Sequence, residues 1–90
     1  MARIYAAEVG PQVVLETGLD LSAASSVAIK AYDPDGELFT LAATVTDTTK
    51  LKHTKTAITL NEAGAWTLHS YAEFAGGVVY WGDPYSLRIY

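Results

Sequence analysis

Ninety residues carry a formal net charge of -4, with only six Lys and Arg among them and no cysteine. So few cations cannot neutralise a phosphate backbone, which excludes nucleic acid as a partner. The missing thiols exclude disulfides, thiolate metal sites and a cysteine nucleophile.

Half of the residues are hydrophobic and 18% are charged, the balance of one small globular domain over residues 1–90 that buries roughly 60–65% of its unfolded surface. No run approaches the ~20 apolar residues of a membrane-spanning helix, and Met1-Ala2-Arg3-Ile4-Tyr5 lacks the apolar core of an export leader. No membrane partner is therefore expected. A strand read over residues 3–9 begins almost at once, and Leu87-Arg88-Ile89-Tyr90 closes the chain as another. The chain reads as a whole gene product that works by surface contact.

Gly10-Pro11 interrupts the first strand, because proline has no N–H to give a ladder, and Gln12 to Thr17 resumes it. Residues 18–26 read as a loop with at most one short helical turn, capped by Asp20 or Ser22. Val27 to Tyr32 is a strand with Val27, Ile29 and Ala31 inward. Asp33-Pro34-Asp35-Gly36 is a strong turn, with proline preset at φ near -65° and Asp-Gly completing the reversal. Glu37 to Thr46 is the partner strand, with Phe39, Leu41, Ala43 and Val45 on one face. Residues 27–46 are thus a hairpin. Asp47-Thr48-Thr49 turns into Lys50 to Lys55, a polar strand whose lysines protect a sheet edge from further pairing. Ile58 and Leu60 point inward before the next corner.

Leu60 to Phe74 organises the whole chain. Glu62-Ala63-Gly64 makes a tight turn, and then Trp66, Leu68, Ala72 and Phe74 fall on one face while Thr67, His69, Tyr71 and Glu73 fall on the other. Such alternation belongs to a strand with one buried and one wet face. Immunoglobulin-like sandwiches carry a related corner, a turn followed by a large aromatic and an apolar residue two positions later. Here these are Gly64, Trp66 and Leu68. Ala75-Gly76-Gly77 turns into Val78 to Trp81, Gly82-Asp83-Pro84 bends the strand, and Tyr85 to Tyr90 ends it with Leu87 and Ile89 inward. About seven short strands at turn spacings of about 8–12 residues predict an all-β, immunoglobulin-like antiparallel sandwich without a disulfide.

Gly18-Leu19-Asp20-Leu21-Ser22, Val27-Ala28-Ile29-Lys30 and Asp33-Pro34-Asp35-Gly36, followed by Leu60 to Leu68 and Tyr71-Ala72-Glu73-Phe74, resemble small immunoglobulin-like bacteriophage virion proteins. They are similar to the N-terminal domain of phage baseplate upper proteins. The resemblance spans nearly the whole chain and implies a structural role in the virion, as capsid decoration or as a neck, tail or baseplate accessory. It implies phage capsid or tail proteins as partners, several copies in an assembly, and synthesis in the host cytoplasm. Every shared position is structural, so no catalytic residue is carried over.

No chemical motif opposes that expectation. His53 and His69 fall on outward strand faces, and neither has a ligand set in reach of the sequence. Asp33, Asp35 and Glu37 invite calcium, but turn chemistry accounts for the two aspartates and three carboxylates fall short of a calcium shell. Glu62, Glu73 and Asp83 offer carboxylate pairs for glycoside hydrolysis that nothing places across a cleft. There is no phosphate loop, nucleophile elbow or His-Glu-x-x-His. The expectation is no enzyme, no metal and no cofactor. Tyr71, Tyr80, Trp81, Tyr85 and Tyr90 remain as candidate interface residues, because surface aromatics anchor protein contacts. The same residues open an alternative, a carbohydrate-binding or host-adhesion module. Ile29, Gly64, Trp66, Leu68 and Phe74 are the expected core and corner.

Overall fold

The longest alternating run becomes the longest strand, Gly64–Phe74. Trp66, Leu68, Ser70 and Ala72 are buried along one face, and Thr67, His69 and Tyr71 are only half-buried on the other. The structure, a computed structural model, describes residues 3–90. Met1 and Ala2, which open the segment read as lacking a leader, lie outside the described residues.

The strands are β1 (Gln12–Glu16), β2 (Ala24–Tyr32), β3 (Leu38–Ala42), β4 (Thr44–Thr46), β5 (Lys50–Thr54), β6 (Gly64–Phe74), β7 (Val78–Trp81) and β8 (Tyr85–Ile89). A small sheet has the order β1-β5-β4, and a large one the order β3-β2-β6-β7, with β8 also paired to β6. All strand pairs are antiparallel. The sheets pack as the expected disulfide-free sandwich, with eight strands rather than about seven. Val13, Leu15 and Leu51 from the small sheet meet Ile29, Ala31, Leu41, Trp66, Leu68 and Ile89 from the large one, with Leu21 and Leu60 closing the core. Each large apolar side chain so buried contributes on the order of 1.5–3 kcal/mol.

β7 and β8 are successive halves of one strand. β7 pairs with Tyr71–Phe74 and β8 with Gly64–Leu68. The bend between them keeps one ladder bond, from Gly82 N to Ser70 O at 2.8 Å, and places Pro84 where no N–H is needed. At the opposite end Trp66 Nε1 donates to Glu62 O at 2.7 Å, which ties the corner to the strand it starts. The Asp33–Gly36 turn forms as expected, with Gly36 N on Asp33 O at 2.9 Å.

Four expectations are corrected. Residues 3–9 do not form a strand; Ile4 makes a single parallel bridge to Ile89. The chain from Glu37 to Thr46 is not one strand but two, because at Ala43 it leaves the large sheet for the small one. Leu41 is buried, whereas Phe39 and Val45 are exposed. The apolar alternation runs unbroken through that crossing, so it carries no mark of it. Lys50–Thr54 is central in its sheet rather than an edge. Its lysines at 50 and 52 line the solvated face, which says nothing about what lies beside the strand. Ile58 does not point inward but is 83% exposed, since residues 57–62 form turns and bends in which period two has no meaning.

Candidate functional site: the outer face of the large sheet

Cross-strand register assembles the outer face of the large sheet. Lys30 stands opposite His69, Ala28 opposite Tyr71 and Tyr32 opposite Thr67. Tyr71 in turn stands opposite Trp81. These residues alternate with buried Ile29, Ala31, Leu68, Ser70 and Ala72, so their side chains share the face turned away from the core.

The rings form a chain of edge contacts. Tyr32 and His69 have centroids 6.0 Å apart at 81°, and His69 and Trp81 are 5.7 Å apart at 66°. Tyr71 and Trp81 are 5.6 Å apart at 80°. Lys30 Nζ lies 4.6 Å from the Tyr71 ring centre and donates to Thr40 Oγ1 at 2.9 Å. Trp81 remains 45% exposed. Edge-to-face aromatic pairs are worth about 0.5–1.5 kcal/mol each beyond their burial, so the rings are held in place before any partner arrives.

His69 Nδ1 lies 2.9 Å from Gly82 O. A carbonyl only accepts, so Nδ1 carries the hydrogen of that bond, which fixes the orientation of the ring. Loss of hydration by burial pushes the Tyr71 hydroxyl pKa up, and the neighbouring Glu73 carboxylate adds to the rise by hydrogen bond and charge. Tyr71 is thus a neutral donor at physiological pH. The face offers large apolar area, one cation, one hydroxyl donor and an imidazole, a set suited to gripping another protein surface.

Of the five candidate interface residues, only Tyr71 and Trp81 lie here. Tyr80 stands opposite Ala72 on the inner side and donates its hydroxyl to Thr17 O at 3.2 Å. Tyr85 stands opposite Leu68, and Tyr90 lies beyond β8 against Tyr5 and Arg3. The five do not form one surface. Tyr32, Lys30 and His69 complete the face; alternation along β6 already sets His69 beside Tyr71, whereas only the pairing of β2 with β6 brings Tyr32 and Lys30 there. The expected core and corner residues Ile29, Trp66 and Leu68 are buried, and Phe74 packs against that core.

His53 is corrected: it faces the core, 3% exposed. Its Nδ1 donates to Ala42 O at 2.6 Å and its Nε2 meets Thr59 Oγ1 at 3.0 Å. Satisfied ring nitrogens are what allow an imidazole inside. Lys55, expected on a solvated face, is likewise fully buried, and its Nζ donates to the carbonyls of Ala6 and Glu8. Of that trio only Lys50 and Lys52 reach solvent, though on a central strand rather than an edge, and Lys50 pairs with Asp47 at 3.6 Å.

The carboxylates gather differently from their sequence spacing. Asp33, Asp35 and Glu62, rather than Glu37, bring one oxygen each to within 4.8 Å of one another. Asp33 Oδ1 takes the N–H groups of Asp35 and Glu37 at 3.0 and 2.8 Å, which is turn chemistry. Desolvation first, and then the charges of Asp35 and Asp33, push the Glu62 carboxyl above its ordinary value. Three carboxylates could contact a hard cation but supply half the oxygens of a calcium shell. Glu62 lies in the corner before β6 and Glu73 near the far end of that strand, on the order of 30 Å apart at strand rise, too far for a glycosidase pair.

Comparison with protein-family models, with curated proteins and with solved structures gives no match to this chain.

Proposed function

We propose that this chain is a non-enzymatic structural protein of a bacteriophage particle that docks on a coat or tail subunit through the outer face of its large sheet. Capsid decoration is the preferred placement, ahead of a neck, tail or baseplate accessory. The observation that carries the docking role is the contiguous ring chain Tyr32, His69, Trp81 and Tyr71, held by cross-strand contacts on a face that no part of the described chain covers. The choice of particle rests on the resemblance of the turn and corner segments to phage virion proteins. Repeated copies would raise weak individual contacts to useful avidity.

Trp81, as an exposed indole, also favours a second reading as a sugar-binding module. Sugar stacking needs an open, flat ring face, and the edges of His69 and Tyr71 stand at 66° and 80° to the Trp81 ring, which suits a shaped protein contact better. A glycan array decides between the two: saturable binding lost on Trp81→Ala supports adhesion. The copy number per purified particle, measured by quantitative mass spectrometry, tests the structural role. Hundreds of copies support a shell protein, while six, twelve or a few dozen support the neck, tail or baseplate. None would overturn the proposal.

A further inference from the structure

The two sheets are unequal, and the difference leaves part of an inner face open. Tyr85 and Leu87 stand opposite Leu68 and Trp66 in the β6–β8 register, on the side of the large sheet that faces the core. Leu68 is fully buried, yet Tyr85 is 50% exposed, because the small sheet stops at β1 and no strand of described residues lies beyond it. The resulting cleft of about 480 Å³ lies between β1 and β8, with Val13, Tyr85 and Leu87 along it and Arg3 and Arg88 in its lining.

One wall of this cleft is an unused strand edge. Thr17 N bonds Thr49 O, and Lys55 N bonds Pro11 O, so the odd-numbered residues of this stretch turn their backbone groups toward β5. Alternation turns those of Gln12 and Val14 the other way, away from the sheet. The charge is equally one-sided. None of the described lining residues is acidic, in a chain with ten Asp and Glu. Neither Arg3 nor Arg88 has a carboxylate within ion-pair distance among the described residues. Their guanidiniums lie instead 4.7 and 5.9 Å from the Tyr90 ring centre.

We infer that this cleft receives an extended acidic segment of a partner protein, added to the small sheet as a further strand beside β1. Its backbone bonds to Gln12 and Val14, its apolar side chains cover Tyr85 and Leu87, and its carboxylates meet Arg3 and Arg88. The chain already lays one of its own segments along a neighbouring edge: Tyr90 N bonds Ile4 O and Ala6 N bonds Tyr90 O, both at 2.9 Å. The cleft shares no lining residue with the ring chain Tyr32, His69, Trp81 and Tyr71, so this inference and the proposed docking role stand or fall independently.

The test is an NMR titration of the whole protein with a synthetic peptide of alternating Val and Glu, and with its counterpart bearing Lys for Glu. The Glu peptide is expected to shift the amides of Gln12, Val14, Tyr85 and Leu87 saturably, with no such shifts from the Lys peptide. Arg3→Glu with Arg88→Glu is expected to weaken binding by about tenfold or more. Val14→Pro is expected to abolish it, because that residue's N–H gives β1 no internal bond and its loss removes only the edge donor. Equal binding of the Lys peptide, shifts confined to other residues, no shifts, or unaltered binding in either variant would overturn the inference. Concentration-dependent shifts of the same amides without peptide would put a second copy of the chain in the cleft, and would overturn it too.

Discussion

Gly64 packs directly against Pro34: a Cβ at position 64 would come within 2.6 Å of Pro34 Cγ. This contact joins the two segments most legible in the sequence, the Asp33–Gly36 turn and the corner that opens β6. Gly64 also holds φ +133°, a conformation that side chains rarely adopt. Gly64→Ala therefore meets both a clash and backbone strain, and is expected to cost about 2–3 kcal/mol in urea unfolding. Pro34→Ala should recover the clash but not the strain, so a double-mutant cycle on the pair is expected to give non-additive losses. Additive losses would mean that the two residues are not in contact.

Leu68→Ala is expected to cost about 2–5 kcal/mol, since it empties a fully enclosed position between the sheets. Ile58→Ser should change stability by less than about 0.5 kcal/mol, because that side chain is in water. Chemical denaturation of both variants separates the two cases, although alternation alone would have ranked them together.

Lys55 anchors the segment preceding β1 by its bonds to Ala6 O and Glu8 O. Lys55→Met leaves two carbonyls without their donor, and about 1–3 kcal/mol of stability is expected to be lost. The loss should be local as well as global: amide exchange at Ala6 and Gly10, which bond to Tyr90 O and Lys55 O, should accelerate more than exchange in β6.

Glu62 is exposed, yet it titrates above its ordinary value of 4.5 because partial desolvation and the charges of Asp35 and Asp33 oppose its ionisation. Between that ordinary value and the raised one, the folded protein holds a proton that the unfolded chain has lost. Stability therefore falls as pH rises through this window, and the penalty is full above it. Glu62→Gln is expected to raise Tm at neutral pH, with the gain fading as pH drops below the ordinary glutamate value. Scanning calorimetry across pH checks the sign.

The hairpin turn, the corner and the alternation of β6 were legible because each depends on neighbours in sequence. The crossing at Ala43 was not, because Phe39, Leu41, Ala43 and Val45 keep period two straight through it. The central position of β5 was hidden for a related reason: Lys50 and Lys52 describe one face of that strand and not its flanks. Polarity alone places His53 and Lys55 in water, because the carbonyls of Ala42, Ala6 and Glu8 that accept their hydrogens are brought to them only by the folded chain. At the candidate site Tyr71 and Trp81 stood out as aromatics. His69 follows from the same alternation that turns Tyr71 outward, but Tyr32 and Lys30 depend on the β2–β6 register, which no local pattern encodes.

The outer-face docking role is tested most directly by hydroxyl-radical footprinting of the free protein and of the protein in its assembled particle. Strong protection of Trp81 and Tyr71 on assembly, with Ile58 still modified, is the expected result. Unchanged modification of Trp81 and Tyr71 in the particle would contradict it.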